Sequence, residues 1–226
     1  MVHVGLIGGI GPAATAFYYQ RIVKLFAAAG RPLNLSIAHT DIRLLAENMQ
    51  AGNRQAQAEE FERVTHQLAR AGATRVAITS LGGSFCAEEF AKVSPLPIID
   101  GPTSVAAHFS ATGLKRVGIL GTTAVMSTGL YGKLGGVCEV LSPGDESREA
   151  MESAHCDYAA LAMSGEATAE QRTRLFAAAQ RLCDRGAERV LLGGTDLNLI
   201  FDGSEPVPVV DAAEVHAQAI AGEALS

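Results

Sequence analysis

Apolar positions in this chain fall into short runs separated by longer stretches with helical spacing. Val2 to Ile7 reads as a buried parallel strand closed by glycines. Pro12 stands where a helix can begin, and Ala14, Phe17, Tyr18, Arg21, Ile22 and Leu25 follow at helical spacing. Leu33 to Ala38 predicts a second strand, ending in His39-Thr40-Asp41. Ile42 to about Arg70 is helical and laced with charge, with a break at Gly52-Asn53. Arg75 to Thr79 predicts a third strand, which runs into the small-residue loop Ser80-Leu81-Gly82-Gly83-Ser84. Ile98-Ile99 predicts a short fourth strand after Pro95 and Pro97.

The same order then recurs. Arg116 to Leu120 predicts a strand, Met126 to about Lys133 a short helix and Cys138 to Leu141 a strand. Helices follow over 145–163 and 168–185, then strands at Val190–Leu192 and Val207–Val210, and a helix from Ala212 to about Leu225. Individual segments match across the halves. Val4-Gly5-Leu6-Ile7-Gly8-Gly9 pairs with Val117-Gly118-Ile119-Leu120-Gly121-Thr122. Ala71-Gly72-Ala73 pairs with Arg185-Gly186-Ala187, and Leu96-Pro97-Ile98-Ile99-Asp100 with Val207-Pro208-Val209-Val210-Asp211. Three matches in one order imply a duplicated half. The expectation is an α/β fold of two pseudo-symmetric three-layer lobes with mostly parallel sheets. Residues 1–100 with 212–226 form the first lobe and 101–211 the second. Equivalent loops would face a shared cleft, and in such sheets ligands sit beyond the carboxyl ends of the strands.

Composition narrows the partners. The chain has 226 residues, 48% of them hydrophobic, and a formal charge of −6. An acidic balance without basic runs argues against nucleic acid and anionic membranes. No apolar stretch approaches the roughly 20 residues of a membrane span. A strand beginning at Val2 leaves no room for a signal peptide. Cys86, Cys138, Cys156 and Cys183 lack metal-site or redox-pair spacing. A cytoplasmic protein with reduced thiols and no metal is expected.

The strand ends supply the candidate chemistry. Gly8, Gly9 and Gly11, before Pro12, let backbone N–H groups approach an anion at a helix N-terminus, and Thr122 and Thr123 add hydroxyls at the equivalent loop. Both loops can equally be tight turns with Thr122 as a helix cap. Gly9-Ile10-Gly11-Pro12-Ala13-Ala14 also fits a dinucleotide fingerprint, but Pro12 removes a donor where pyrophosphate would lie. Ser80 aligns with Gly194 and Leu81 with Thr195 when Val76 is set on Val190. Asp196 follows as a base, an ammonium contact or a cap. Among the histidines, only His39 has a strand-end position. Asp100 and Asp211 suit helix capping.

At these residues the chain resembles the aspartate/glutamate racemase superfamily. The Gly-Leu-Ile-Gly-Gly-Ile-Gly-Pro opening with Thr15 and Tyr18-Tyr19 is similar to the aspartate racemase branch, as are Gly121-Thr122, Gly186-Ala187 and Pro208-Val209-Val210-Asp211 with His216. The resemblance covers essentially the whole chain. It implies cofactor-independent chemistry, a homodimer and a small carboxylate or amino-acid ligand. The family uses two cysteines on opposite faces of the reacting carbon. Here Ser80-Leu81-Gly82 stands where Cys-Asn-Thr is expected, and Gly193-Gly194-Thr195-Asp196 where Gly-Cys-Thr-Glu is expected. A serine hydroxyl is far less acidic than a thiol and glycine has no side chain, so two-thiol racemisation is not expected. Ser80, Thr195 and Asp196 become the catalytic candidates. Gly8, Gly9, Gly11, Gln50, Leu81, Gly82, Thr122, Thr123 and Gly194 become the binding candidates, with Gln50 falling where the resemblance puts the side-chain carboxylate. The expected activity is a diverged isomerase or lyase acting next to a carboxylate; the alternative is an inactive homologue that binds a small acid.

Overall fold

A strand that is apolar throughout belongs in the middle of a sheet, and β1 (His3–Gly8) takes that place in the computed structural model, which describes residues 2–226. Met1, counted in the first lobe above, lies outside the described residues. After β1 come α1 (Pro12–Ala28), β2 (Asn34–His39), α2 (Ile42–Gln50), α3 (Arg54–Arg70), β3 (Arg75–Ile78), a 3-10 turn at Gly82–Cys86 and α4 (Ala87–Val93). The strands pair in parallel in the order β2-β1-β3, with Val4 opposite Leu35 on one side and Arg75 on the other. The break between α2 and α3 is made by Gly52 at φ +64° and by Asn53, whose side chain accepts Ala56 N–H and caps α3.

The second half continues through α5 (Gly101–Thr112), β4 (Arg116–Leu120), α6 (Thr123–Ser127) and β5 (Glu139–Leu141). Next come a 3-10 turn at Pro143–Asp145, α7 (Arg148–Ser164), α8 (Ala169–Asp184), β6 (Arg189–Leu192), a 3-10 turn at Thr195–Leu199, β7 (Val209–Asp211) and α9 (Ala212–Leu225). Its four-stranded parallel sheet has the order β5-β4-β6-β7. The chain divides into one unit of Met1–Gly101 with His216–Ser226 and a second of Pro102–Val215. The sequence boundary at 211/212 falls at the start of α9, whereas this division falls inside that helix.

The duplication is visible bond by bond. Gly72 and Gly186 end α3 and α8 at φ +96° and +99°, and the next residues, Ala73 and Ala187, donate back to Leu68 and Leu182 carbonyls, each at 3.0 Å. Thr79 N–H donates to Ile7 and Gly193 N–H to Leu120. Val76 N–H donates to Pro97 at 3.0 Å, and Val190 N–H to Pro208 at 2.9 Å. In the first unit this last pairing stops at a single bridge, Val76 with Ile98, so the fourth strand expected there is only a contact. The helix expected at Met126–Lys133 is also corrected. α6 ends at Ser127, and Gly129, Leu130, Tyr131 and Gly132 all take positive φ, a sequence of left-handed turns that breaks the helix.

Within the first unit, α9 is held by a buried histidine near its start. His216 Nε2 lies 2.9 Å from the Ile99 carbonyl and so carries the proton, which leaves Nδ1 to accept from the Tyr18 hydroxyl at 3.0 Å. Burial pushes the imidazole down to about 4, against the opposing pull of the Ile99 carbonyl and Asp100. In the second unit, burial pushes the Asp211 carboxyl up to about 6, although it accepts Ala213 N–H at 2.8 Å.

These two groups predict opposing pH dependence. Unfolded His216 protonates near 6.5, so its contribution is complete above that pH and about 3 kcal/mol is lost as pH falls to 4. Asp211 ordinarily ionises near 3.8, so its contribution is complete below that value and about 3 kcal/mol is lost as pH rises to 6. Urea denaturation of Asp211→Asn should therefore show a stability loss on acidification about 2 kcal/mol steeper than the wild type between pH 6 and 4. Parallel profiles would contradict the assignment of Asp211.

Candidate functional site

In the first unit, glycines shape the loop after β1. Gly9 has φ +90°, and a Cβ there would run into the Thr40 carbonyl and the His39 ring, so only glycine lets this turn pass His39-Thr40. Gly11 caps α1 at φ 104°, ahead of Pro12. Thr15, one turn into α1, ties the loop together. Its Oγ1 accepts Gly9 N–H at 3.0 Å, donates to the Gly11 carbonyl at 3.1 Å and lies 3.0 Å from Thr79 Oγ1. The Gly9 N–H expected to greet an anion is thus already engaged by Thr15. Glycine at position 8 is a packing requirement: a Cβ would lie 2.6 Å from Thr15 Cγ2.

After β3 the chain winds into the 3-10 turn Gly82–Cys86. Ser80 is buried and accepts a long hydrogen bond, 3.4 Å, from Gly83 N–H. Leu81 and Gly82 are buried too. Leu81 packs where a Cβ on Gly101 would lie 2.6 Å from its Cδ2, so its side chain serves the core. Gln50, the last residue of α2, is exposed. Cys86 lies in the 3-10 turn rather than in α4, with Sγ 3.5 Å from the Gly83 carbonyl. Burial, reinforced by Glu89, pushes its thiol up to about 12, so it is held as a neutral thiol.

In the second unit the loops after β4 and β6 touch. A Cβ on Gly121 would come 3.0 Å from Gly194 N, and one on Gly193 would come 3.1 Å from the Leu120 carbonyl. Glycines here are a condition of the close approach. Thr122 caps α6 by accepting Val125 N–H at 3.2 Å. Thr123 is exposed, and its N–H donates to His155 Nδ1 at 3.2 Å. Thr195 and Asp196 are buried at 0% and 1% exposure, at the start of the 3-10 turn after Gly194. A carboxylate so deeply covered is costly unless it is held by neighbours or put to use.

Two residues here were missed from sequence. His155 and Tyr158 share a face of α7 at i, i+3 spacing and meet the loop after β4 and the loop after β6, respectively. Their pairing on one helix face was the available signal, but a helical histidine and tyrosine usually pack without further role. Asp211 caps the start of α9, as its position after an apolar strand suggests. Among the described residues no group of three His, Cys, Asp or Glu could hold a metal ion, and no helix is long and apolar enough to cross a membrane. A surface groove of about 480 Å³ is lined by Tyr19, Val23, Phe26, Arg31, Leu35 and Ile37, among others, and by none of the candidate residues.

A family model described as Asp/Glu/hydantoin racemase matches residues 7–220. The chain belongs to that family. Its fold is also similar to solved structures over the full length. A Yersinia pestis protein assigned to the Asp/Glu racemases is 24% identical with a TM-score of 0.84, each chain covered in full. An aspartate racemase homologue from Pyrococcus horikoshii OT3 is 23% identical with a TM-score of 0.77, again over all of both chains. Picrophilus torridus aspartate racemase is 18% identical with a TM-score of 0.81, covering 99% of this chain and 94% of that one.

The first-unit loop predicts a contrast between two glycines of positive φ. Gly30 has open space around its Cβ position, so Gly30→Ala should cost only about 1 kcal/mol of backbone strain. Gly9→Ala adds a collision with backbone and should cost at least about 3 kcal/mol by urea denaturation. Equal costs would mean that the turn can move away from Thr40.

Proposed function

We propose that this protein is a cofactor-independent isomerase or lyase that acts next to the carboxylate of a small carboxylic or amino acid, without the two-thiol chemistry that the family resemblance implies. One observation carries this reading: the strand-end positions where that chemistry calls for thiols hold Ser80 and Gly194. The thiol nearest to Ser80 in sequence, Cys86, is buried and held protonated by its surroundings. Cys138 and Cys183 are likewise pushed up by burial, away from the thiolate form.

The proton-handling role falls to Asp196, the buried carboxylate of the loop after β6, with Thr195 beside it in sequence. A carboxylate is the usual alternative to a thiolate as a base toward a carbon acid, provided that it is shielded from water. In the first unit, Ser80 Oγ holds one long hydrogen bond and has capacity left for another. Asp196 then abstracts or returns a proton at the carbon beside the carboxylate, and hydroxyl donors stabilise the charge that develops on the carboxylate oxygens.

Incubation with small acids in deuterated buffer tests this directly. The wild type should exchange the Cα–H of at least one small carboxylic or amino acid, and Asp196→Asn should lower that rate about 10²–10⁴-fold at unchanged thermal stability. Full exchange by Asp196→Asn would remove the assignment. Binding of an acid without exchange by the wild type would identify an inactive binding homologue instead.

A further inference from the structure

Gly194 has φ −99° and ψ 118°, an extended conformation open to any residue. Its glycine is therefore not a demand of the backbone. The reason lies across from it. A Cβ built on Gly194 would lie 2.6 Å from both Cδ2 and Cζ of Tyr158, and closer still to Cε2. The phenol ring fills the volume that a side chain at 194 would need. α7, which carries the ring, is held firmly: Asp157 accepts from Arg174 at 2.8 and 2.6 Å, and the Asp157 carbonyl accepts from Gln171 at 3.5 Å. Ring and side chain at 194 exclude one another.

The ring also brings a polar group to this spot. Tyr158 is 4% exposed. Burial and the neighbouring Asp196 charge both favour the protonated phenol, so its hydroxyl is a donor and not a base. Thr195 lies beside the phenol and partly offsets that effect, and Thr195 Oγ1 is fully buried without a hydrogen-bond partner. An orphaned hydroxyl in the interior is costly, and its expected remedy is an acceptor supplied from outside the chain.

We infer that Tyr158 replaces the side chain at residue 194 as the second lobe's ligand-binding group, its phenol O–H and the Thr195 hydroxyl together donating to a carboxylate oxygen of the small acid. The donor role rests on the function proposed above; the exclusion between ring and residue 194 stands apart from it. Both hydroxyls are neutral donors, which suits a carboxylate without adding a charge beside Asp196. The phenol is thus a specificity determinant: it selects ligands that present an oxygen acceptor at this point.

Two measurements on the full chain separate the claims. In the thermal arm, Gly194→Ala should lower the Tm by about 4 °C or more in the wild type and by less than about 1 °C in a Tyr158→Ala background. An equal loss in both backgrounds would overturn the exclusion. In the binding arm, calorimetry with succinate and with each enantiomer of aspartate and glutamate compares the wild type with Tyr158→Phe, which keeps the ring. The variant should retain the wild-type Tm and bind about tenfold more weakly. Equal affinity would overturn the donor role while leaving the small-acid function intact. If the wild type binds none of these acids, the small-acid function fails and the donor role fails with it, while the thermal arm still decides the exclusion.

Discussion

Close contact between one helix and an interior strand of each sheet is the constraint from which the rest follows. Gly5 in β1 and Gly118 in β4 interrupt otherwise branched, apolar strands. A Cβ on Gly5 would come 3.1 Å from Leu68 Cβ, and one on Gly118 would come 2.9 Å from Leu182 Cβ. α3 and α8 thus sit directly on the strand backbones, with Leu68 and Leu182 as the equivalent contact points. Interiors at this density tolerate little added volume. The seating of each helix fixes the chain reversal at Gly72 or Gly186, and hence the entry of β3 or β6 beside its neighbour.

The same economy of space governs the strand ends. In the first unit Gly8 and Gly9 leave room for Thr15, His39 and Thr40; in the second, Gly121, Gly193 and Gly194 leave room for each other and for Tyr158. The two sets have diverged in what they use that room for. The first is closed by hydroxyl hydrogen bonds through Thr15 and Thr79, and the second gathers a phenol, a hydroxyl and a carboxylate. The two halves thus share a skeleton and differ in the polar groups at their strand ends.

Much of the fold was legible because periodicity and glycine punctuation act locally. α1, the α2–α3 break, β4 and α9 are set by spacing, caps and turns that lie within a few residues. The errors lie where longer-range structure decides. Met126–Lys133 has helical content, yet Gly129 and Gly132 and the left-handed Leu130 and Tyr131 turn the chain instead. Ile98 has strand character, but its pairing stops at a single bridge to Val76, flanked by the bonds of Pro97 and Ile99 to the same residue. The candidate loops could be located from the strand ends, whereas their occupants could not. That Thr15 turns its hydroxyl back onto the Gly9 N–H depends on a side-chain orientation, and that Tyr158 takes the room beside Gly194 depends on a side chain brought from a distant helix.

The position of His216 bears on how the molecule is made. Tyr18 and the Ile99 carbonyl both precede the second lobe in the chain, and the histidine that joins them follows it. On the ribosome, the early lobe therefore emerges with its buried phenol and carbonyl still lacking their partner. The later lobe has all of its own strands in hand before His216 leaves the exit tunnel. The half that is translated first is thereby the half that is finished last.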